Sequence, residues 1–360
     1  MTLTCQAAVL PAPGQPLEIR DIQLTEPQPG EVLVRTAAAG ICGTDLHFAV
    51  GAFPYPTPTV LGHEASGTVA AVGAGVTSVA PGDRVIVCDQ TFCGQCAACL
   101  SGAMVYCTDP SAKQRQHQRM RLGGDPIRQY LGVSAFAELM VVDAHALIPL
   151  PDGISFEAGA LLSCCLTTGL ATVFNVNRPA PGSAVAVIGT GGVGLGAVQG
   201  ARIAGASRII AVDEHPHRLA IAEELGATDT LLANVATAAD IKELTGGGVD
   251  HAIEAVGSID TAEQAFYALA PGGRATVIGM LPADTDINVP GRLLRGGRSL
   301  TGTVMGSVRT QADIPRYADM LLLGVLHAEP LITSTRPLKG INDALGDASE
   351  CAGVRALIRF

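Results

Sequence analysis

A glycine-rich turn in the second half of the chain is the feature that most constrains the fold. It follows the apolar run Ala184–Ile188, precedes a stretch typical of a helix, and reads Gly189-Thr190-Gly191-Gly192-Val193-Gly194. In a G-x-G-x-x-G turn the first glycine bends the chain tightly, the second lets phosphate groups approach the backbone, and the third packs the helix on the strand. The motif alone is a weak indication, but strand, turn and helix occur here in the required order. They predict a dinucleotide site at the N-terminus of the helix, where backbone amides bind phosphate.

The next apolar run, Arg208–Val212, is followed by Asp213, about 20 residues after the last glycine of the turn. A carboxylate at this position accepts hydrogen bonds from the adenosine ribose and repels a 2′-phosphate, so we expect NAD rather than NADP. Arg218 is a candidate contact to the ribose edge. Further strand-like runs, His251–Glu254 and Ala275–Ile278, alternate with helical stretches. This alternation predicts an α/β domain with a doubly wound parallel sheet, covered on both faces.

The N-terminal part of the chain has a different pattern. Short runs rich in β-branched residues are separated there by Gly and Pro turns: Glu31–Thr36, Ser66–Val72, Asp83–Val87 and Ala137–Val142. They predict a partly open antiparallel β domain. A helical stretch, Ser155–Val176, follows, and the strand-like tail Val354–Phe360 is expected to return to the first domain. We therefore predict one domain of residues 1–165 and 306–360 and a dinucleotide domain of residues 166–305.

The bulk composition narrows the class of protein. The chain has 360 residues, 48% hydrophobic and 16% charged, as expected for a folded protein rather than a disordered one. Its formal net charge is −10 and it has no basic stripe, so we expect no nucleic-acid partner. One basic cluster is interpreted as a solvated loop: Lys113, Arg115, Arg119, Arg121 and Arg128. The N-terminus lacks the basic residues of a signal peptide, and the most apolar stretch, Ala184–Val212, is interrupted by glycines and arginines. We expect a cytoplasmic protein without a membrane partner.

Four closely spaced cysteines predict a metal-binding lobe at about residues 92–108. They follow C-x2-C-x2-C-x7-C and are Cys93, Cys96, Cys99 and Cys107. Four thiolates around one ion leave no open position, which is the arrangement of a structural zinc site. The lobe has few apolar residues, so the metal would contribute to its folding. Disulfides or free thiols are the alternatives, and both are less expected in a cytosolic chain.

A second set of possible ligands is dispersed along the chain. Cys42 lies in GICGTD, His63 and Glu64 lie in GHE, and Cys164 lies in SCCLTTG. Each has an ordinary interpretation by itself, because single cysteines are often core residues and a His–Glu pair is often on the surface. From these residues alone, metal binding remains open.

The motifs together resemble a known family. GICGTD, GHE, the four-cysteine lobe, CLTTG, GTGGVG and the closing Val354-Arg355 occur in this order along essentially the whole chain. In order and spacing they are similar to the zinc-containing medium-chain dehydrogenase/reductase family, in its alcohol dehydrogenase branch. The resemblance implies a GroES-like catalytic domain next to a Rossmann coenzyme domain, with NAD and two zinc ions per chain as cofactors.

The resemblance also implies roles for the dispersed residues. Cys42, His63 and Cys164 would bind a catalytic zinc, a donor set known for alcohol dehydrogenases, and Glu64 would lie close behind the metal. Cys165 is an alternative to Cys164, but the spacing to the following Thr-Thr-Gly favours Cys164. Asp45 would accept from the other ring nitrogen of His63 and fix its tautomer.

The implied activity is the reversible oxidation of primary aliphatic or aromatic alcohols to aldehydes. Thr44 and His47 match the positions of a proton relay, and histidine titrates near neutral pH. Arg355 matches an arginine that contacts the cofactor pyrophosphate, and Val256 and Ile278 complete the cofactor positions.

Asp89 and Tyr130 are candidate residues of the substrate pocket. Asp89 lies where related enzymes usually carry an apolar or aromatic side chain. A carboxylate in a pocket must be hydrated or paired. Either the pocket is wet at this point, or Asp89 turns away to a basic residue, or it is an outward-facing loop acid. If it lines the pocket, alcohols that carry a polar or cationic group should be accepted.

Two further alternatives concern the substrate and the assembly. A thiol-dependent formaldehyde dehydrogenase of the same fold would oxidise an S-hydroxymethyl adduct, with Arg115, Arg119 and Arg121 as a cationic mouth. A non-catalytic dinucleotide-binding protein is disfavoured by the intact ligand set. We expect a homodimer, with a tetramer as the alternative.

Overall fold

The computed structural model describes residues 2–109 and 119–360, which form two compact units. One unit consists of Met1–Cys164 and Arg309–Phe360, and the other of Cys165–Val308. The chain therefore leaves the first unit once and returns to it. Two residues of the basic cluster, Lys113 and Arg115, lie outside the described residues.

The first unit is built mainly from β strands. They are β1 (Thr2–Leu10), β2 (Glu18–Thr25), β3 (Glu31–Gly40), β4 (Thr59–Val60), β5 (Glu64–Val72), β6 (Arg84–Val87), β7 (Met120–Leu122), β8 (Asp125–Gln129), β9 (Leu139–Asp143), β10 (Leu147–Pro149), β17 (Ile332–Pro337) and β18 (Arg355–Arg359). Strands β1, β2, β7, β8 and β4 close a small barrel. The larger sheet has the order β10-β6-β5-β3-β18-β17, and β9 pairs with β3. Most of these pairs are antiparallel, as predicted, and the core lies around β3, which is buried on both faces at its start.

The second unit contains a six-stranded sheet in which all neighbours are parallel. Its strands are β11 (Ala184–Ile188), β12 (Arg208–Asp213), β13 (Asp229–Leu232), β14 (Val249–Glu254), β15 (Leu269–Val277) and β16 (Ser299–Gly302). The order β13-β12-β11-β14-β15-β16 is that of the Rossmann fold, in which ligands bind where the order reverses, at the carboxyl ends of the first and fourth strands. This arrangement confirms the predicted fold class.

Helices connect and cover the strands of both units. In chain order they are α1 (Gly43–Ala49), α2 (Ala97–Leu100), α3 (Phe156–Ser163), α4 (Cys165–Ala171), α5 (Gly192–Ile203), α6 (Pro216–Glu224), α7 (Thr237–Thr245), α8 (Ile259–Tyr267), α9 (Gly291–Leu294), α10 (Thr310–Leu322) and α11 (Ile341–Ser349). In the parts of the chain that the structure describes, no single helix is long and apolar enough to cross a membrane. Only the bent pair Phe156–Ser163 and Cys165–Asn177 meets that criterion together.

The helix predicted over Ser155–Val176 is interrupted. Cys164 has φ −141° and ψ −73°, which ends α3, and α4 begins at the next residue. After α4 the chain continues as a π-helix, Thr172–Asn177. Apolar periodicity could not reveal these breaks, because nearly all residues on both sides of Cys164 are small or apolar and buried.

Candidate metal centres and cofactor site

Two thiols, an imidazole and a carboxylate converge inside the first unit. Cys42 precedes α1, His63 and Glu64 lie at the start of β5, and Cys164 follows α3. One ligand atom from each of these buried residues lies within 4.8 Å of the other three. The end of α3 is fixed at this place because the Ser163 hydroxyl accepts from the Ala65 amide at 3.0 Å. Thiolate and imidazole ligands at this spacing suit zinc.

Asp45 orients two of these four groups. Its Oδ2 accepts from the Cys42 amide at 3.0 Å, and its Oδ1 accepts from the Gly62 amide at 3.2 Å. Oδ1 also lies 3.1 Å from Nδ1 of His63. Because Nδ1 donates to this carboxylate, the opposite nitrogen of His63 is left to act as a ligand. Burial lowers the pKa of His63, but the charges of Asp45 and Cys42 outweigh it and raise the pKa well above its ordinary value.

The two thiols of the cluster share a hydrogen bond. This bond to Cys164 lowers the pKa of Cys42 well below its ordinary value, against the effect of burial and with help from Arg355. The same bond, together with burial, raises the pKa of Cys164. Their shared hydrogen bond therefore shifts the pKa values of the two thiols in opposite directions. A divalent metal binds cysteine as the thiolate, so two adjacent thiols fit a metal site.

Arg355 and Glu64 lie behind the thiols. The Nη2 atom of Arg355 is 3.2 Å from Oε1 of Glu64 and 3.9 Å from Sγ of Cys42, and Nη1 donates to the Ile41 carbonyl at 3.0 Å. Burial raises the pKa of Glu64 to about 8 even though Arg355 stands next to it. The side chain of Arg355 thus lies against the ligand cluster, a placement that its predicted contact with the cofactor pyrophosphate did not anticipate.

The four cysteines of the lobe form a second cluster. Their sulfur atoms lie within 4.8 Å of one another, and all four side chains are partly exposed. The sulfurs of Cys96 and Cys99 are 3.5 Å apart and those of Cys93 and Cys99 are 3.9 Å apart, whereas a disulfide requires about 2.0 Å. Hydrogen bonds with the backbone and the thiol of Cys99 lower the pKa of Cys96 to about 6. Convergent, unpaired thiols of this kind fit a closed zinc site.

Thr44 and His47 lie on α1, directly after Cys42. The Thr44 hydroxyl oxygen is 3.7 Å from Sγ of Cys42. His47 lies in the last turn of α1, partly exposed, with its ring edge-on to Phe53 at 5.7 Å. Residues three apart on a helix share a face. The hydroxyl therefore stands next to the ligand cluster, and the imidazole stands one turn along the same face.

Asp89 lies beside the same cluster. Strands β5 and β6 are antiparallel, with Ala65 opposite Val87. Asp89 lies two residues beyond the end of β6, partly exposed, and His63 immediately precedes β5. Burial raises the pKa of Asp89, while the charge of His63 lowers it.

Tyr130 is packed against His63. It is fully buried, its ring centroid lies 6.0 Å from that of His63, and its hydroxyl has no hydrogen-bond partner. Burial raises the pKa of Tyr130, and the negative charges of Asp45, Cys42 and Asp89 add to the effect. Tyr130 therefore packs on the ligand cluster through the ring of His63.

The glycine turn has the geometry of a phosphate site. Gly189 has φ +90°, which a side chain would oppose, and a Cβ at Gly194 would overlap the Gly189 carbonyl. Gly191 has open space around it, as an approaching phosphate requires. Val193 lies in the first turn of α5, with Gly192.

The remaining cofactor candidates lie around the carboxyl ends of the strands. Asp213 ends β12, and its carboxylate accepts from the Thr190 amide at 2.7 Å and the Thr190 hydroxyl at 3.0 Å. Arg218 lies on α6 and is partly exposed, Val256 is exposed after β14, and Ile278 follows β15.

Two side chains that support this site are not signalled by the motif. The Thr190 hydroxyl holds Asp213, and the buried Glu254 accepts from the amides of Val256 and Gly257 at 2.8 and 2.7 Å. Glu254 fixes the loop that carries Val256. Glu254 is an acidic residue at the end of an otherwise apolar strand, and this pattern could have identified it in the sequence.

The basic cluster requires a correction. Arg119 is buried, donates to Oε1 of Glu31 at 3.0 Å and bonds Gln129 at 2.8 Å, so it neither belongs to a solvated loop nor contributes to a cationic mouth. Arg121 is exposed and donates to the Gly124 carbonyl. Arg128 lies over the ring of Tyr55 at 5.3 Å. The sequence could not separate Arg119 from its neighbours, because its buried partner Glu31 is distant in the chain.

Comparison with known proteins agrees with this geometry. Residues 28–152 match the family model of the alcohol dehydrogenase GroES-like domain, and residues 192–322 match that of the zinc-binding dehydrogenases. An S-(hydroxymethyl)glutathione dehydrogenase of Haemophilus influenzae is 36% identical and aligns over 100% of this chain and 98% of its own.

Solved structures are also similar over the whole chain. Benzyl alcohol dehydrogenase from Acinetobacter calcoaceticus superimposes with a TM-score of 0.92, at 31% identity and 99% coverage of both chains. A zinc-binding dehydrogenase from Sinorhizobium meliloti, bound to NADP, has a TM-score of 0.84 at 28% identity, covering 99% of this chain and 100% of its own. The chain belongs to the zinc-containing medium-chain alcohol dehydrogenase family. The predictions of this family and of zinc as a cofactor are confirmed.

Proposed function

We propose that the protein is an NAD-dependent alcohol dehydrogenase that interconverts primary alcohols and aldehydes. The observation that carries the proposal is the buried set Cys42, His63 and Cys164 with Glu64 behind it, in a chain that also has a dinucleotide turn. Three protein ligands, Cys42, His63 and Cys164, would leave the fourth position of a tetrahedral zinc ion open for a substrate oxygen. A purely structural metal site has no need for such a position.

Each residue around the cluster has its own role in the proposed oxidation of the alcohol. Zinc, when bound, supplies a Lewis acid that favours loss of the alcohol proton, and oxidised nicotinamide supplies a hydride acceptor. Asp45 holds His63 in the tautomer that presents its free nitrogen to the cluster. The Thr44 hydroxyl, beside Cys42, would accept the alcohol proton while releasing its own proton toward His47, and His47 would pass a proton to solvent. Arg355 lies next to Glu64 behind the ligands, with its Nη2 3.2 Å from Oε1.

The preference for NAD follows from Asp213. Its carboxylate ends β12 and is held by Thr190, and an acid at this position of a dinucleotide fold would lie near the adenosine ribose. The carboxylate of Asp213 would repel the negative 2′-phosphate of NADP. Arg218 lies further along the chain, on α6. Initial rates with NAD and with NADP test this proposal. The value of kcat/KM should be higher for NAD. A higher kcat/KM for NADP would show that Asp213 does not select the cofactor.

A second candidate is a thiol-dependent formaldehyde dehydrogenase. Its support is the similarity to S-(hydroxymethyl)glutathione dehydrogenases at 36% identity. The polar carboxylates of such an adduct need cations at the mouth of the site, and the buried Arg119 is not one of them. Arg121 is exposed and remains a candidate cation for such an adduct.

One experiment separates the two candidates. NADH formation is measured with a panel of primary alcohols, and with formaldehyde in the presence and absence of glutathione or mycothiol. Simple alcohols should be oxidised without any thiol. A rate that appears only with formaldehyde plus a thiol would establish the second candidate.

We also infer a cytoplasmic homodimer. None of the ten cysteines, all of which the structure describes, forms a disulfide, and a protein that keeps two thiolate metal sites benefits from a reducing compartment. Closed two-fold dimers are the commonest assembly of soluble enzymes. Sedimentation at several concentrations tests the dimer against a tetramer.

A further inference from the structure

Glu254 is a fully buried acid at the carboxyl end of β14, one of the two central strands of the parallel sheet. Its Oε1 accepts from the Val256 amide at 2.8 Å, from the Gly257 amide at 2.7 Å and from the Thr261 hydroxyl at 2.8 Å. These donors belong to the loop after β14 and to the first turn of α8. One carboxylate oxygen therefore fixes the connection between the strand and the helix.

The loop after β15 is tied to the same connection. The amides of Ile278 and Gly279 lie 2.8 and 3.3 Å from the carbonyl oxygen of Glu254. The two loops also touch through their backbones, because a Cβ at Gly279 would lie 2.1 Å from the Gly257 nitrogen and a Cβ at Gly257 would lie 2.6 Å from the Met280 carbonyl oxygen. Contacts this close leave neither loop room to move alone, so the bonds that fix the first loop also fix the second.

Val256 is held by this loop at the edge of the predicted phosphate site. Its side chain is 50% exposed, and its Cγ2 would be 2.6 Å from a Cβ at Gly189. The side chain therefore lies directly against the glycine turn and remains open to solvent. A ligand whose phosphates bind at the turn meets this apolar surface next.

The order of the strands decides which half of a dinucleotide reaches this surface. β12, which ends in Asp213, lies on one side of β11, whereas β14 and then β15 lie on the other side. A pyrophosphate at the turn after β11 directs the adenosine half toward β12 and the second half toward the ends of β14 and β15. Val256 and Ile278 therefore lie where the nicotinamide half is expected.

We propose that Glu254 is the positioning residue for the nicotinamide half of the cofactor. Its side chain is fully buried, so it acts by holding the loops that carry Val256 and Ile278 and not by contact with the cofactor. The adenosine half depends on Asp213 and the glycine turn, which Glu254 does not bond. The inference rests on the proposed function, which requires a nicotinamide dinucleotide.

The test compares the dissociation constants of NADH and of ADP, which lacks the nicotinamide riboside. Both are measured by calorimetric titration of the zinc-loaded protein without alcohol, so that no turnover occurs. In Glu254→Ala the ratio of Kd for NADH to Kd for ADP should rise about tenfold over the parent, because the loops lose the bonds that preorganise them. Glu254→Gln keeps an oxygen that accepts from the loop amides and should hold the ratio within about threefold of the parent.

Two further variants complete the test. Asp250→Ala is the matched control, because it removes another carboxylate of β14, one that accepts from the Ala184 amide at 2.8 Å near the opposite end of the strand. It should leave the ratio unchanged. Glu254→Asp keeps the charge but withdraws the carboxylate by one methylene, so it should raise the ratio and decides the matter if Glu254→Ala does not fold.

The outcomes separate this inference from the proposed function. A parental ratio in folded Glu254→Ala or Glu254→Asp, or an equal rise in Asp250→Ala, overturns the positioning role. A parent enzyme that binds NADH but oxidises no alcohol overturns the proposed function instead, and the two dissociation constants still decide on Glu254.

Discussion

One buried carboxylate in each unit is held in place by several hydrogen bonds before a ligand binds. Asp45 accepts hydrogen bonds from the Cys42 and Gly62 amides and from His63. Asp213 accepts from the amide and the hydroxyl of Thr190. Each carboxylate takes three or more donors from its own unit, counting the amide of His215 at 3.0 Å for Asp213. Charge-assisted bonds of this kind fix the orientation of a side chain, so ligand binding requires little rearrangement.

At the residue scale, Thr190→Val tests this preparation in the cofactor site. The substitution removes the 3.0 Å bond to Asp213 and keeps nearly the same volume at a fully buried position. We expect a loss of about 1 kcal/mol in stability and a several-fold higher KM for NAD with little change in kcat. Thr190→Ser keeps the hydroxyl and should restore the parent KM. Equal KM values in all three proteins would show that Asp213 is held without Thr190.

The proton relay is also a property of single residues. His47→Ala removes the imidazole one helical turn from Thr44, at a partly exposed position where folding should be unaffected. We expect slower turnover at about pH 7 and a smaller defect at high pH, because hydroxide or buffer then accepts the proton. Basic buffers should restore the rate. A kcat and pH profile identical to the parent would exclude His47 from the relay.

At the scale of elements, glycine has two different structural roles in the turn between β11 and α5. Gly194 packs so closely on the Gly189 carbonyl that an added Cβ would overlap it, whereas Gly191 has free space and ordinary extended backbone angles. Gly194 therefore holds the helix against the strand. Gly191 leaves room for a ligand.

Two alanine substitutions test this separation. Gly194→Ala should destabilise the protein by about 1–3 kcal/mol, because α5 must move away from the turn. Gly191→Ala should change stability by less than about 0.5 kcal/mol and still weaken NAD binding, because its Cβ stands in the path of the pyrophosphate. Thermal unfolding and fluorescence titration with NADH measure the two effects. Equal stability loss in both variants would contradict the assignment.

At the scale of the whole molecule, the two metal centres differ in ligands and in exposure. The lobe cysteines are partly exposed, whereas Cys42, His63 and Cys164 are buried. If solvent exposure alone decided the order, a chelator would remove the metal of the lobe first. The number of ligands favours the opposite order, because four thiolates close one site and the other has only three strong protein ligands.

We expect two zinc ions per chain, and we expect a chelator to remove the buried, open one first. Activity should then disappear while the circular dichroism and the melting temperature remain close to those of the parent. Removal of the second ion should unfold the lobe. Cys99→Ser should lose one zinc ion and stability, while Cys351→Ser, which changes a cysteine outside both clusters, should lose neither. Fully active protein with one zinc ion or none would contradict the assignment.

Much of the fold and several site residues were predictable from the sequence because the signals are local. The turn at Gly189–Gly194 lies between the strand and the helix that it joins, and the four lobe cysteines lie close together in the chain. Apolar runs such as Ala184–Ile188 mark strands buried on both faces, and these predicted strands are confirmed. Such patterns follow from backbone geometry and need no knowledge of distant contacts.

Tertiary structure alone decided what depends on distant partners. The break at Cys164 follows from its place in the ligand cluster. The burial of Arg119 against Glu31 and the contact of Arg355 with Glu64 each join segments far apart in the chain. A side chain's charge and hydrogen bonding are set by what surrounds it, and the sequence carries no local mark of that environment. The four lobe cysteines could therefore be recognised in the sequence because they lie close together, whereas the convergence of Cys42, His63, Glu64 and Cys164 became visible only in the folded chain.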